Sequence, residues 1–341
     1  MPQEKPSLLV ITGPTATGKT SAGIEAALQL NGEIVSADSM MVYRGMDIGT
    51  AKPTAAEMRG IPHHLIDVVD PDEDFSVACY QELAEKHIRE ISLRGKLPIL
   101  VGGTGLYVRA VLDHYNFVVG ADQALRRELQ DAARARGVAW LHEQLAKVDP
   151  VSAARLHPNN VRRVIRALEV YYKTGQPLSS FQDRDLRTDP KYCALVFGLT
   201  CDRSEIYRRI EKRVDEMLAA GLVEEVRRLM SRGYGRDLTS MKGLGYKEIA
   251  AYLAGEISLD EAVKILKRNT RRFAKRQLTW FRRDNRIIWL DVVAMGGPIG
   301  AAKEIVTKWQ EYQRLPRNSL HSTGHTTSRE TGGSTRDQDT D

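Results

Sequence analysis

Cysteine is scarce in this sequence. Its 341 residues include three, Cys79, Cys193 and Cys201, and no two of them form a CxxC pair. Such scattered cysteines favour reduced, structural thiols and argue against a disulfide framework. His63 and His64 are adjacent, but no third ligand stands at metal spacing, so a zinc site is disfavoured too.

Long apolar runs are also missing. No stretch approaches the roughly 18 to 20 residues that a membrane-spanning helix requires. The first residues are polar and lead directly into an apolar strand, without the basic region and apolar run of a signal peptide. We therefore expect a cytoplasmic protein with no membrane partner.

The chain does contain ample material for folding, with 42% hydrophobic and 28% charged residues. At about 150 residues per domain, its length suggests two globular units. The formal net charge of +6 permits a polyanionic partner such as nucleic acid, although many basic proteins bind none.

The first third of the chain alternates short β-branched runs with amphipathic ones. This alternation is typical of a parallel sheet covered by helices on both faces. The predicted strands cover residues 7–12, 33–37, 64–68 and 98–101, and a helix is predicted for residues 19–30.

From about residue 121 to 174 the pattern becomes helical and basic, and strand-like residues return at 192–199 and 286–290. We predict an α/β fold with a parallel P-loop sheet core flanked by helices and an inserted all-helical domain. The predicted units are the first part of the core (1–120), the helical insert (121–190), the remainder of the core with C-terminal helices (191–313) and a polar tail (314–341). The tail has no aromatic residue and is predicted to be disordered.

A phosphate-binding motif, G-x-x-x-x-G-K-[ST], lies between the first strand and the first helix. Its residues are Gly13, Pro14, Thr15, Ala16, Thr17, Gly18, Lys19 and Thr20. Backbone N–H groups, the helix N-terminus and Lys19 would bind a diphosphate or a nucleotide, and the Thr20 hydroxyl would bind Mg²⁺. Kinases, GTPases and motor proteins share this loop, so it does not specify the reaction.

Asp38 follows the second predicted strand, at the sheet edge where open α/β folds bind ligands. Its carboxylate could help to bind Mg²⁺, or it could accept a proton from a nucleophile. The structural alternative is a helix N-cap. The residues alone leave these alternatives open.

Residues 38–53 (DSMMVYRGMDIGTAKP) closely resemble the signature of bacterial tRNA dimethylallyltransferases. The resemblance extends in order through GPTATGKT, VGGTGLYVRA (101–110), VDPVSAARLHPNNVRRVIRALEV (148–170), GLGYK (243–247) and KRQLTWFR (275–282). It covers nearly everything from Leu8 to about Leu290. No Cys/His pattern like that of the eukaryotic zinc-finger extension is present, so the bacterial form fits better.

The resemblance implies transfer of a dimethylallyl group from dimethylallyl diphosphate, with Mg²⁺, to N6 of adenosine 37 in the tRNA anticodon loop. It implies that Asp38 is the general base, that Thr104 contacts the reacting groups and that Arg209 and Arg213 lie near the diphosphate. Thr104 could instead be an ordinary turn residue. Arg209 and Arg213 could instead form a solvated helix face with Glu205 and Glu216.

The resemblance also implies a monomer that extrudes the target base from the anticodon loop and holds the RNA with several segments. The predicted tRNA-binding residues are Asp38, Ser39, Met40, Met41, Arg126, Arg162, Arg163, Val164, Ile165, Arg166, Lys242, Gly243, Leu244, Gly245, Tyr246, Lys247, Lys275, Arg276, Gln277, Leu278, Thr279, Trp280, Phe281 and Arg282. Phe273 and Trp280 are seven residues apart, a spacing that favours a core stripe over a base-stacking platform. Lys242 and Lys247 stand where many family members carry arginine, which puts base-specific contacts there in doubt.

Three other functions use the same loop. A small-molecule kinase leaves the basic insert and the Asp38 segment unexplained, whereas a prenyltransferase acting on free adenine nucleotides is opposed only by the insert. A nucleic-acid-binding NTPase predicts ATP turnover stimulated by RNA.

Overall fold

The fold is built on a six-stranded, fully parallel sheet with the strand order β3–β2–β4–β1–β5–β6. A computed structural model describes residues 5–113, 120–182 and 190–314. The strands are β1 (Ser7–Thr12), β2 (Gly32–Ser36), β3 (His63–His64), β4 (Leu97–Val101), β5 (Cys193–Thr200) and β6 (Ile287–Asp291).

Helices connect and cover these strands. Those of the first part are α1 (Lys19–Leu30), α2 (Ala55–Met58), α3 (Val77–Leu93) and α4 (Gly105–Leu112). A second group comprises α5 (Gln123–Arg136), α6 (Val138–Val148), α7 (Pro150–Arg155), α8 (Val161–Thr174) and α9 (Leu178–Gln182). The last comprises α10 (Arg203–Ala219), α11 (Leu222–Ser231), a 3-10 turn (Ser240–Lys242), α12 (Tyr246–Leu253), α13 (Leu259–Phe281) and α14 (Pro298–Arg314).

Apolar residues on both faces of the strands explain the parallel sheet. Leu9 and Ile11 of β1 face a core shared with α1 and α14, whereas Leu8 and Val10 face a core shared with α3 and α4. Because successive side chains alternate between faces, a strand buried on both sides is a continuous apolar run.

Two further apolar cores lie beside the sheet. Helices α5 to α9 pack around buried residues that include Leu141, Leu145 and Leu168. Helices α10 to α13 pack with residues of the segment after β2, including Met46. The sheet is therefore accompanied by two separate helical groups, each with its own apolar core.

The predictions for β1 and α1 are confirmed to the residue, and β2, β4, β5 and β6 lie within one residue of their predicted bounds. The predicted strand 64–68 is wrong beyond His64, because Leu65 and Asp67 have positive φ angles of 65° and 55°. The chain turns there, and Val68 N–H donates to Val42 O at 2.7 Å instead of continuing the sheet. The apolar pattern was typical of a strand but could not show this local partner.

The predicted polar tail lies outside the described residues apart from Arg314, which ends α14. In the part of the chain that the structure describes, no helix is both long and apolar enough to cross a bilayer.

Candidate active site

The phosphate-binding motif forms a loop from β1 to α1 and borders a cavity of about 90 Å³. Gly18 adopts the left-handed conformation at the start of α1, and the Thr17 hydroxyl donates to Pro14 O at 2.9 Å. Lys19 Nζ donates to the same carbonyl at 2.6 Å. Thr20, in the first turn of α1, also lines the cavity.

Two cations face this cavity. Burial and the nearby Arg213 guanidinium lower the pKa of Lys19 to about 7, although Asp38 partly offsets them. Burial likewise lowers the pKa of Arg213, whose guanidinium lies 3.4 Å from the Thr15 hydroxyl. Two half-buried cations that repel each other are stabilised by an anionic ligand, so this part of the cavity suits a diphosphate.

Asp38 lies just beyond β2 and lines the same cavity. Its carboxylate accepts a hydrogen bond from Met40 N–H at 2.9 Å, and a turn, not a helix, follows it. The helix N-cap explanation is therefore wrong. The sheet order places β4 between β2 and β1, so the carboxylate and the phosphate loop share one edge.

Thr104 connects the turn after β4 to the Asp38 segment. Its hydroxyl oxygen accepts from Ser39 N–H at 3.1 Å and lies 3.3 Å from the Ser39 hydroxyl. Thr104 N–H donates to Ala37 O at 3.0 Å. It is thus more than a generic turn residue, because it holds the backbone on both sides of Asp38.

Gln277 of α13 joins the two loops that border the cavity. Its carbonyl oxygen accepts from Thr15 N–H at 2.9 Å, and its amide donates to Gly103 O at 2.9 Å. The side chain is buried. Gln277 is thus a structural link between the phosphate loop and the Thr104 turn, and its predicted contact with tRNA stays a prediction.

A larger cleft of about 590 Å³ lies between the sheet edge and the helical insert. Gly103, Phe273 and Gln277 line both the cleft and the smaller cavity, so the two spaces meet there. The cleft contains Ser39 and Thr104 next to Asp38 and is lined further by Arg155, Leu156, Arg163, Arg166, Leu178, Arg276 and Trp280.

Phe273 and Trp280 are half-buried and line this cleft. Trp280 also packs against the core behind the sheet, so the core interpretation holds for it in part. The Arg276 guanidinium lies 5.7 Å from the centre of the Phe273 ring. Trp280 packs on Gly105 so closely that a Cβ at residue 105 would lie 2.2 Å from the indole. Both aromatic side chains therefore contribute to the lining of the cleft.

The predicted arginines of the insert have different surroundings. Arg163 and Arg166 both line the cleft, whereas Arg162 is exposed and is not among its lining residues. Arg126 and Arg166 bind the carboxylate of Glu169, with shortest distances of 2.9 and 2.6 Å. Burial raises the pKa of Glu169, but the hydrogen bonds from Arg126, Asp122 N–H and Arg166 outweigh it and lower the pKa overall.

Several predicted tRNA-binding residues are buried in hydrophobic cores and cannot reach RNA. Val164 and Ile165 lie in the core of the insert, Tyr246 in the core of α10 to α13, and Phe281 in the core behind the sheet. Gly245 is buried as well. Their predicted contact with tRNA is therefore wrong, and they support the neighbouring surface residues instead.

The remaining predicted residues in and next to the GLGYK (243–247) and KRQLTWFR (275–282) motifs lie at or near the surface. Lys242, Lys247, Lys275, Arg276, Thr279 and Arg282 are exposed, and Gly243, Leu244 and Leu278 are half-buried. A Cβ at Gly243 would lie 2.4 Å from the end of the Met40 side chain, so GLGYK contacts the Asp38 segment. Met41 lines the small cavity.

Arg209 and Arg213 differ in position despite sharing a helix face. Arg209 binds Glu205 at 2.6 Å and lines a groove of about 780 Å³, which shares Lys19, Thr20 and Arg213 with the small cavity. Only Arg213 of the pair lines the small cavity itself. Arg209 therefore lies in a groove that begins at the phosphate loop, and its predicted catalytic role stays a prediction.

Sequence reasoning missed His63, which lines the small cavity. Its Nδ1 lies 2.8 Å from Ile61 O, and burial, the largest cause, lowers its pKa. The residue lies in the short edge strand next to β2, a pairing that the apolar pattern could not reveal.

Protein oxygens suited to a hard cation are present at the phosphate loop. The Thr20 hydroxyl and the Asp38 carboxylate line the same cavity. Mg²⁺ is held by one or two such oxygens together with substrate phosphates and water. The donor set thus fits a divalent ion that enters with the diphosphate.

Comparisons with known proteins agree with this geometry. A family model described as IPP transferase matches residues 41–284, and one described as isopentenyl transferase matches residues 6–70. A tRNA dimethylallyltransferase of Desulforudis audaxviator is 65% identical over 301 residues, covering 88% of this chain and 97% of its own. One of Pelotomaculum thermopropionicum is 57% identical, covering 89% and 96%.

Solved structures are similar over nearly the same length. The tRNA isopentenylpyrophosphate transferase of Bacillus halodurans is 48% identical with a TM-score of 0.67, covering 91% of this chain and 99% of its own. A eukaryotic dimethylallyltransferase acting on tRNA is 28% identical with a TM-score of 0.78, covering 94% and 85%. The chain belongs to the tRNA dimethylallyltransferase family and is a transferase.

Proposed function

We propose that this member of the tRNA dimethylallyltransferase family transfers the dimethylallyl group of dimethylallyl diphosphate to N6 of adenosine 37 in the tRNA anticodon loop. We place the enzyme in the cytoplasm as a monomer. The observation that carries the proposal is the meeting of two spaces beside Asp38. One is a small cavity with two half-buried cations, and the other is a larger cleft with aromatic and arginine walls.

The small cavity suits the donor. Cleavage of the allylic carbon–oxygen bond leaves negative charge on the departing diphosphate, which Lys19, Arg213 and the N–H groups of the loop stabilise. The Thr20 hydroxyl and the diphosphate oxygens would hold Mg²⁺. When bound, this ion neutralises part of the same charge.

The cleft suits the acceptor. Adenosine 37 must leave the stack of the anticodon loop before its N6 is accessible, and Phe273 and Trp280 offer surfaces on which bases can stack. Asp38 accepts the proton that N6 loses as the new nitrogen–carbon bond forms. Thr104 holds the Asp38 segment in place during this step.

The RNA backbone requires cations around the cleft. Arg163 and Arg166 line one side and Arg276 the other, while Lys275 and Arg282 extend the exposed basic surface of α13. We assign the helical insert, residues 121–190, as the tRNA-binding domain. Residues 1–120 and 191–313 would then form the two parts of the catalytic core.

The proposal is tested by incubating purified protein with Mg²⁺, labelled dimethylallyl diphosphate and either unmodified tRNA or AMP. We expect label in tRNA and none in AMP, because AMP lacks the backbone that the arginines of the cleft would bind. Label in AMP alone would assign the free-nucleotide reaction. RNA-stimulated ATP cleavage without label would assign an NTPase, and transfer of phosphate from ATP to a small molecule would assign a kinase.

Arg163→Ala is expected to lower the affinity for tRNA and to make that affinity less dependent on salt concentration. The Arg163 side chain is exposed and lines the cleft, so its loss removes about one phosphate contact. The slope of log K against log salt should become shallower by about 0.7, the value for a single strand. Filter binding between low and physiological salt measures this slope.

Arg227→Ala is the matched control, because Arg227 is an exposed arginine of α11 that pairs with Glu224. It should leave the slope unchanged. If the Arg163→Ala protein kept the wild-type slope, Arg163 would not contact the RNA backbone.

Donor binding without tRNA is expected to weaken as the pH rises above 7. The pKa of Lys19 is about 7 in the free protein, so Lys19 loses its proton there, whereas a bound diphosphate favours the protonated form. Affinity should fall by up to about tenfold per pH unit above 7. Calorimetry in buffers of different ionisation enthalpy should also detect proton uptake on binding. A donor affinity that does not change between pH 7 and 9 would contradict the assignment of Lys19 to the diphosphate.

A further inference from the structure

One motif of the sequence resemblance has no role in the site described above. Tyr246 of the GLGYK segment is fully buried and therefore does not contact RNA. Its hydroxyl donates a hydrogen bond at 2.7 Å to Glu225 of α11, whose side chain is also buried. This pair lies on the side of the molecule that packs against the segment after β2.

Glu225 binds that segment through its backbone. Its carboxylate accepts hydrogen bonds from three successive N–H groups, those of Asp47 at 3.0 Å, Ile48 at 2.8 Å and Gly49 at 3.1 Å. With the Tyr246 hydroxyl, the two oxygens accept four hydrogen bonds. A buried carboxylate is tolerated when it is paired in this way, and the pairing restricts residues 47–49 to one backbone conformation.

The Tyr246 ring adds a steric constraint to the same turn. A Cβ at Gly49 would lie 2.6 Å from the ring, so the backbone of residue 49 packs directly against the aromatic face. Burial, followed by the Glu225 carboxylate, raises the pKa of Tyr246. The phenol is therefore protonated at neutral pH and can donate its hydrogen bond to Glu225.

The restrained turn leads into a wall of the small cavity. Thr50 and Pro53 line this cavity, and we call residues 50–53 the donor wall. The Thr50 hydroxyl donates to Met46 O at 2.6 Å, and Lys52 Nζ donates to Tyr43 O at 2.6 Å. The hydrogen bonds of Glu225 to residues 47–49 add to the apolar packing of Met46 and Ile48, and together they tie the turn before the donor wall to helices α10 to α13.

We propose that Glu225 and Tyr246 are positioning residues that hold the donor wall against the prenyl chain of the donor. The inference rests on the proposed function. Lys19 and Arg213 mark the end of the cavity that receives the diphosphate. Pro53 and Ile66 line the cavity as well and offer the prenyl chain apolar side chains, while the Thr50 hydroxyl is bonded to Met46 O. The pair thus acts on donor affinity without touching donor or RNA.

Tyr246→Phe tests this role, because it removes one hydrogen bond and keeps the ring that packs on Gly49. We expect the dissociation constant and KM for dimethylallyl diphosphate to rise about tenfold, as for loss of a hydrogen bond to a charged group. The constants for inorganic diphosphate and tRNA, and kcat, should remain within about twofold, the usual scatter for uninvolved groups. Tyr252→Phe on the same helix is the matched control and should change none of them.

Glu225→Gln is expected to act in the same direction and more strongly, since the amide presents N–H groups to backbone N–H donors. Equal loss of affinity for both diphosphates would overturn the proposal, and so would an unchanged prenyl-donor affinity in folded Tyr246→Phe protein. Loss of tRNA affinity alone would overturn it as well and assign GLGYK to the RNA. Donor binding is measured without tRNA. A wild-type protein that binds the donor but prenylates no tRNA would therefore contradict the proposed function and leave the role of Glu225 and Tyr246 in donor binding intact.

Discussion

Asp38→Asn is expected to lower kcat for tRNA prenylation by about 10² to 10⁴-fold, the range for loss of a positioned general base. Asparagine is nearly isosteric and can still accept the hydrogen bond that Met40 N–H donates to Asp38, so the turn should survive. It cannot, however, take the proton that N6 loses. Binding of donor and tRNA should therefore stay close to wild type while the chemical step fails.

Single-turnover kinetics with saturating donor and tRNA provide the measurement, and equilibrium binding provides the internal control. Asp72→Asn is a matched control, because Asp72 is an exposed carboxylate in a surface turn. An Asp38→Asn protein with wild-type single-turnover rates would eliminate Asp38 as the base. Loss of binding alone would reassign it to the metal or the donor.

Lys19→Met is expected to slow dimethylallyl transfer and, at the same time, to raise the thermal stability of the ligand-free protein. Loss of one cation at the leaving diphosphate should reduce kcat by about 10² to 10³-fold, as for other preorganised charge-stabilising groups. In the free protein, burial and Arg213 hold the pKa of Lys19 at about 7. The charged form is thus unfavourable when no anion is bound, and methionine removes that penalty.

The sign of the pH dependence follows from the lowered pKa. The unfolded chain binds more protons at Lys19 between pH 7 and about 10.4, so the free energy of unfolding of the wild-type protein rises over this window. The stability advantage of Lys19→Met should be largest at or below pH 7 and shrink towards pH 10. Each kcal/mol corresponds to about 2–4 °C in Tm for a domain of this size class.

Thermal unfolding of both proteins without ligand measures this effect. Lys308→Met serves as the control, since Lys308 is a surface lysine of α14 that pairs with Glu304. A lower Tm for Lys19→Met at pH 7 would show that Lys19 stabilises the fold, and the account of a site strained in the absence of an anion would then fail.

Elements with strong local signals could be predicted from the sequence. The run of Leu8 to Ile11 followed by the glycine loop determines β1 and α1, because burial on both faces requires a continuous apolar strand. The position of Asp38 at the sheet edge followed from the same logic, since parallel strands present their carboxyl ends on one side.

Contacts between distant segments could not be predicted. Gln277 bonds Thr15 across 262 residues, and Glu225 bonds Asp47 across 178. A residue type and its neighbours in sequence do not reveal such partners. For the same reason, the heptad spacing of Phe273 and Trp280 suggested a core stripe, whereas the cleft between two layers leaves both rings half-exposed.

The central claim is that the two spaces beside Asp38 deliver an allylic donor to one adenosine amine. Mapping the label after digestion of tRNA tests it most directly, with one transcript carrying adenosine 37 and a second carrying guanosine there. We predict N6-dimethylallyladenosine at position 37 of the first transcript and no label in the second. Label at another position, or equal label in both transcripts, would contradict the account.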